Sequence, residues 1–164
     1  MATSGESTIG VRAATDGDRI SARDLISAST PRGRASLVLL RAGQGLLWVA
    51  YQGHGDREKL VGLLLATVQI DSDSEEPVGY IQELLVHPAY RRLGVAMHLL
   101  DAAERFFLEE QRFSQIYLAT SPDNEAALRL YRSRGYTAYQ VRLAKRRLDT
   151  PSDAAVPDRE HDGP

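Results

Sequence analysis

One segment constrains the fold of this chain more than any other: residues 80–96, which read Tyr-Ile-Gln-Glu-Leu-Leu-Val-His-Pro-Ala-Tyr-Arg-Arg-Leu-Gly-Val-Ala. Val78–Val86 is apolar and strand-like, and it ends at His87-Pro88. Proline has no N–H to give a sheet ladder, so the strand stops there. A short loop with Arg91, Arg92 and Gly94 follows, and a helix starts at once. Its apolar stripe, Val95, Leu99, Ala103 and Phe106, predicts a helix over about 94–112. A strand feeding directly into a helix points to an α/β domain.

The junction is an anion cradle on physical grounds. The first amides of a helix have no intrahelical partner and carry the positive end of its dipole. Gly94 and the small Ala96 let a phosphate approach the backbone, and Arg91 and Arg92 add charge. A glycine at such a junction is also a common turn residue, so both readings stand at this point.

The rest of the chain supplies the other elements. Ile9–Ala13 reads as a first strand, and Asp16–Ser27 as a helix capped by Asp16. Ala35–Arg41 is apolar but too short to assign. Leu46–Gln52 and Leu60–Ile70 read as an antiparallel hairpin around the polar turn at 53–56. Asp71–Pro77 is an acidic loop. Ile116–Thr120 is a short strand, Ser121–Asn124 a turn with a cap signal, and Glu125–Arg134 a helix stopped by Gly135. Tyr136–Leu148 alternates as one or two last strands. The order β-α-α-β-β-β-α-β-α-β gives a three-layer α/β domain over 9–148, with a mixed, mostly antiparallel central sheet flanked by helices. Residues 1–8 and 149–164 lack apolar content and read as disordered ends.

Composition excludes several classes. With 164 residues the chain has room for one domain. It has no cysteine, so disulfides, thiolate metal sites and a cysteine nucleophile are out. His54, His87, His98 and His161 lack ligand spacing, and no metal is expected. A net charge of −2 argues against a whole-domain grip on nucleic acid. The basic Arg142–Arg147 cluster is short and reads as the charged face of a terminal strand. Apolar runs such as Leu37–Leu40 are far too short for a membrane span, and Met1–Gly10 has no apolar signal core. A soluble cytoplasmic protein is the expectation.

Arg91-Arg92-Leu93-Gly94-Val95-Ala96 resembles the [QR]-x-x-G-x-[GA] motif of the GNAT superfamily of N-acetyltransferases. The run from Asn124 to Tyr136 resembles that superfamily's second signature, N-x-x-A-x-x-L-Y-x-x-x-G-[FY]. The resemblance implies acetyl-CoA as co-substrate, with its diphosphate on the backbone amides of Arg92–Met97, at the loop that Arg91 opens. It implies the pantetheine arm lying as an added strand against main-chain groups of Leu84, Leu85 and Val86, on an edge opened by a bulge and by splaying of the next strand. Asn124 and Tyr131 are implied contacts of the arm and its sulfur. The implied reaction is direct attack of a primary amine on the thioester, without an acyl-enzyme. The partner is then an amine acceptor, a small molecule or a protein amine, and the family's habit implies a homodimer.

Such chemistry needs a neutral amine, a donor for the developing oxyanion and an acid for the departing thiolate. Tyr131 is the candidate acid; it lies seven residues after Asn124, nearly two turns along one helix face. Glu83 is the candidate base, read here as flanked by Ile81 and Leu85 on one strand face, with Gln82 pointing the other way toward acceptor or water. Some protein N-terminal acetyltransferases of the superfamily carry a catalytic Glu five residues before the Asn; here that position is Ala119. Trp48, Tyr51 and Tyr80 are candidates for the acceptor cleft, with core packing the favoured reading. The reading from another class is a catalytically silent acyl-CoA-binding or sensing module with the same cradle.

The composition of residues 149–164 makes a test. Deletion after Leu148 is expected to leave the thermal midpoint unchanged; a drop of several degrees on calorimetry would show that the tail docks.

Overall fold

The computed structural model describes residues 9–29, 45–53 and 58–140. The expectations for Ala35–Arg41, for 54–56, for 141–148 and for both ends lie outside the described residues. The elements are β1 (Ile9–Ala13), α1 (Asp18–Ser29), β2 (Leu46–Gln52), β3 (Lys59–Ile70), β4 (Pro77–Val86), α2 (Val95–Glu104), β5 (Ile116–Leu118) and α3 (Glu125–Ser133). A 3₁₀ turn over Pro88–Tyr90 joins β4 to the α2 region, and α2 runs on as a π turn over Arg105–Glu110.

The five strands lie in chain order, β1-β2-β3-β4-β5. The first four pair antiparallel and β5 runs parallel to β4. The sheet is therefore mixed and mostly antiparallel. Helices cover both faces. Val95, Leu99, Leu100, Ala103 and Phe107 of the α2 region pack with Leu64, Ala66 and Ile81 on one face. Ala22, Leu25 and Ile26 of α1 pack with Leu63, Leu65 and Val49 on the other. Double coverage explains the apolar run of β3: Val61 through Ala66 is buried without interruption.

Several boundaries differ from the sequence reading, and for three of them a local reason can be named. Helix α1 starts at Asp18, two residues later than expected. Asp18, rather than Asp16, does the capping work: its carboxylate accepts from the Thr15 amide and hydroxyl, both at 2.7 Å. The helix after the cradle ends as α at Glu104, and the wider π turn moves the buried aromatic position from Phe106 to Phe107. Phe107 is fully buried, while Phe106 packs at the margin against Trp48 with ring centroids 5.5 Å apart. Strand β5 stops at Leu118, two residues short of Thr120, because its pairing with β4 ends there. Residues 136–140 form no strand. Trp48 is buried in the core, as favoured. Among the described residues no helix is long and apolar enough to cross a membrane.

Arg12 ties β1 to α1. Its guanidinium donates to Asp18 at 2.6 and 3.1 Å and to Glu58 at 3.0 Å. These hydrogen bonds hold the Asp18 carboxyl down at about 2, against an ordinary value of 3.8. A depressed folded-state value means stability that is complete above the ordinary value and lost as pH falls through the folded one. The gap in thermal midpoint between wild type and Asp18→Asn is expected to be constant near neutrality. It should close as pH falls from about 4 to about 2. A gap as wide at pH 2 as at pH 7 would refute the pairing.

Candidate active site

The site is built where β4 loses its neighbour. Strand β4 pairs with β3 from Pro77 to Val86, but with β5 only through Gly79, Tyr80 and Ile81. Beyond Ile81 one edge of β4 is without a strand among the described residues. The amide of His87 donates to the carbonyl of Val61 at 2.8 Å. Alternation along an antiparallel pair then turns the main-chain groups of Leu85 toward β3, and those of Leu84 and Val86 toward the open edge. Consistent with this, the Val86 carbonyl accepts from the Arg91 side-chain Nε at 3.4 Å.

A β-bulge reshapes the same strand. Leu65 faces Glu83 while Ala66 faces Ile81, so Gln82 is the extra residue. The bulge corrects the facing expected for Glu83. Ile81 lies with Ala66 on the α2 side. Glu83 shares the α1 side with Leu65 and Leu85. Gln82 does not point away from Glu83, because its Nε2 donates to Thr67 Oγ1 at 3.1 Å, and Thr67 is two residues along from Leu65 on that same face.

The loop that follows holds two residues with left-handed backbone. Arg92 has φ 65° and Gly94 has φ 79°, on either side of Leu93. Such alternation aims successive N–H groups into one concavity. Gly94 caps α2, and the first helical donor is His98, bonded to the Gly94 carbonyl at 3.1 Å. The amides of Val95, Ala96 and Met97 precede it and have no intrahelical acceptor. Arg91 and Arg92 are exposed beside them, as are the side chains of Leu93 and Met97. Val95 is buried and anchors the helix start in the core. The donor set of orphan amides, a helix N-terminus and two guanidinium groups suits a phosphate-bearing ligand.

Helix α3 packs Tyr131 against the core cluster that also takes Leu84 and Val86. Asn124 caps it, accepting the Ala127 amide at 3.2 Å. Gly135, at φ 86°, ends it; the amides of Gly135 and Tyr136 donate to the carbonyls of Arg132 and Tyr131, each at 3.0 Å. The Tyr131 backbone is thus fixed, and its ring meets Tyr136 edge-on at 5.8 Å. Arg134 clamps the end of α3 onto α2, donating to Glu104 from Nε at 3.0 Å and to both Asp101 and Glu104 from Nη2. Tyr131 is half-buried. Burial, and then the negative charge of Glu83, push its phenol above the usual tyrosine value. The charge of Glu83 thus bears on the Tyr131 phenol, and Tyr131 packs against the same core cluster as Leu84 and Val86.

Two features lie outside the sequence reading. The Arg134–Glu104 clamp joins helices thirty residues apart and has no local signature. Asp71 opens the acidic loop and is nevertheless buried. Its Oδ1 accepts the amides of Asp73 and Ser74 at 3.1 and 2.9 Å, and its Oδ2 accepts the Tyr117 hydroxyl at 2.9 Å. The spacing Asp71-x-x-Ser74 is the signal available for that turn.

The family model described as acetyltransferase (GNAT) family matches residues 20–136. The chain is 34% identical over 85 residues to N-alpha-acetyltransferase daf-31 of Caenorhabditis elegans, which is 52% of this chain and 46% of that protein. It is 29% identical over 84 residues to the N-terminal acetyltransferase A complex catalytic subunit ard1 of Schizosaccharomyces pombe, 51% of this chain and 48% of that one. The chain spans about half the length of the curated relatives it matches. In fold it resembles aminoglycoside N-acetyltransferase AAC(6')-Iy in complex with CoA, with TM-score 0.72 and 20% identity over 90% of this chain and 99% of that one.

The cradle's backbone makes a prediction independent of any ligand. A Cβ on Gly94 would come no nearer than 3.7 Å to the His98 ring, so space is adequate and the cost lies in φ. Gly94→Ala is expected to cost about 1–2 kcal/mol in urea unfolding. A midpoint equal to wild type would mean that the loop relaxes out of the left-handed conformation.

Proposed function

The chain belongs to the acetyltransferase (GNAT) family, and from that premise we propose that it transfers an acetyl group from acetyl-CoA to a primary amine by direct attack. The observation that supports this reading most is the β4 edge, which lacks a strand beyond Ile81 among the described residues and leads directly into the cradle. The residues present fit the co-substrate. In this reading the amides of Arg92 to Met97, on the loop opened by Arg91, hold the diphosphate. The main-chain groups of Leu84 and Val86 hold the pantetheine arm as an added strand. Leu85 supports the strand from the β3 side. The binding of CoA by the structural neighbour AAC(6')-Iy supports this assignment.

Acetyl-CoA supplies the acetyl thioester; this chain's own groups supply position and proton transfer. Glu83 takes a proton from the incoming ammonium, directly or through water, so that a neutral amine is present. An α-amino group, with a pKa of about 8, needs less help than a lysine side chain at about 10. The Leu84 N–H, on the open edge, is placed to donate to the carbonyl oxygen as charge develops. Tyr131 keeps its proton near neutrality because burial and Glu83 disfavour the phenolate. It delivers that proton to the departing sulfur. The names of the relatives daf-31 and ard1 favour an α-amine of a protein or peptide as acceptor. Ala119 stands where the resemblance puts a catalytic Glu in some protein N-terminal acetyltransferases of the superfamily, which weighs against an enzyme of that particular type, and Glu83 is the base in this reading.

Tyr131→Phe keeps the ring and removes the hydroxyl. It is expected to lower kcat by about 10²–10⁴ with little change in acetyl-CoA affinity. Glu83→Gln is expected to flatten the acidic limb of the kcat/KM profile, with partial rescue at high pH as free amine accumulates. Thiol release measured across pH for both variants checks this. Wild-type profiles in both would reject the roles, and bound acetyl-CoA with no amine-dependent release would favour a sensing module.

A further inference from the structure

Helix α3 has little apolar anchorage of its own. None of its residues is buried, and Leu130 and Tyr131 are its partly buried contacts with the core cluster. What ties its C-terminal end down is polar. Asp101 and Glu104 stand about one turn apart on α2, and two carboxylates at that spacing repel each other. Arg134 meets both: its Nε donates to Glu104 at 3.0 Å, and its Nη2 donates to Glu104 and to Asp101. The side chains of Arg134 and Glu104 are 19% and 18% exposed, so solvent screens this pair less than a surface one.

The turn after α3 leads back to Tyr131. The Tyr131 carbonyl accepts the amides of Arg134 and Tyr136, each at 3.0 Å. Gly135, at φ 86°, lets the chain close in this way. The Tyr136 ring also returns, meeting the Tyr131 ring edge-on with centroids 5.8 Å apart. The Tyr136 hydroxyl is buried, and burial and then the charge of Glu104 push it above the usual tyrosine value. The two residues whose amides hold the Tyr131 backbone thus also reach α2, through the Arg134 side chain, and brace the Tyr131 ring, through that of Tyr136. Helix α2 is the one whose first turn forms the cradle.

We propose that Arg134 and Tyr136 are the positioning residues for Tyr131: Arg134 fastens it to the cradle helix and Tyr136 fixes its ring. This rests on the reading above, in which Tyr131 protonates the departing sulfur. In that reading the cradle at the start of α2 seats the donor and so sets where the sulfur lies. Proton transfer needs the phenol within about 2.6–3.2 Å of that sulfur's position or one water away. A misplacement of about 1 Å can cost about 10²-fold in rate. Fastening the acid to the helix that seats the donor removes that freedom. Neither residue touches the reacting atoms; each acts through Tyr131.

The test uses the full chain. Arg134→Gln breaks the clamp, the double variant Arg134→Glu with Glu104→Arg reverses it, and Tyr136→Leu and Tyr136→Phe probe the brace. The first readout needs no ligand. Protein labelled with carbon-13 at tyrosine Cζ reports the Tyr131 phenol, whose signal is assigned by its loss in Tyr131→Phe. Arg134→Gln and Tyr136→Leu should shift or broaden that signal. The second is thiol release with a free-amine tetrapeptide and a linear diamine, well below each thermal midpoint. Both variants should lower kcat about 10–100-fold, with acetyl-CoA affinity changed less than about threefold. Tyr136→Phe keeps the ring and should stay near wild type, and the reversed pair should recover part of the kcat lost in Arg134→Glu alone. If Arg134→Gln does not fold, the two Tyr136 variants decide. A Tyr131 signal unmoved by either Arg134→Gln or Tyr136→Leu, or equal losses of kcat in Tyr136→Leu and Tyr136→Phe, would overturn the inference and leave the acetyltransferase reading in place. A moved signal with no amine-dependent thiol release in wild type would overturn that reading and, with it, the catalytic purpose given to the clamp.

Discussion

The hydrogen-bonding of β4 is the constraint on which the rest depends. The strand pairs along its full length on the β3 side, and among the described residues it pairs on the other side only as far as Ile81. A sheet edge left open inside a domain is costly unless something else takes its donors and acceptors. The bulge at Gln82 and the end of β5 at Leu118 both fall where β4 loses that neighbour. Arg91 reaches back to the Val86 carbonyl, and Tyr131 of α3 packs against the core cluster that also takes Leu84 and Val86.

Holding an edge open requires rigid surroundings, and these come from long-range contacts. The α2 region is bolted to the sheet by Leu99, Leu100, Ala103 and Phe107, all fully buried. Arg134 then carries α3 on α2 through Glu104 and Asp101. On the far side, Asp71 and Tyr117 tie the β3–β4 turn to β5. The elements on both sides of the β4–β5 pair are thus braced by charge-assisted hydrogen bonds, which are stronger than neutral ones.

The sequence made the cradle and α3 legible because both are local. The Pro88 stop, Gly94 at the cap, Asn124 at one end of α3 and Gly135 at the other each act within a few residues, and the structure has them in those roles. The hairpin of β2 and β3 was legible from its two apolar runs. The facing of Glu83 was not. Alternation in a strand is a strict period of two, and one extra residue reverses it; nothing in Tyr80-Ile81-Gln82-Glu83 marks Gln82 as that residue. The same limit applies to Phe106 and Phe107, where one π turn shifts the helical phase. Arg134 with Glu104 and Asp71 with Tyr117 were hidden because their partners are far apart in the chain.

Donor and acceptor recognition leave different traces for a physical reason. In the proposed function the donor is held by backbone amides and a strand edge, which every residue type possesses. Its only obligatory marks are residues that free the backbone, and Gly94 with φ 79° is such a mark. That is why a short motif suffices to find it. An acceptor must be told from other amines, and only side chains can do so. The sheet face that carries Glu83 holds a row from Gln82 through Thr67, Tyr80 and Tyr117 to Tyr139, which draws on three strands and the segment after α3. No spacing in the chain could announce it, because its spacing exists only in the sheet. The cradle is therefore written in the sequence, and the row is written in the pairing of the strands.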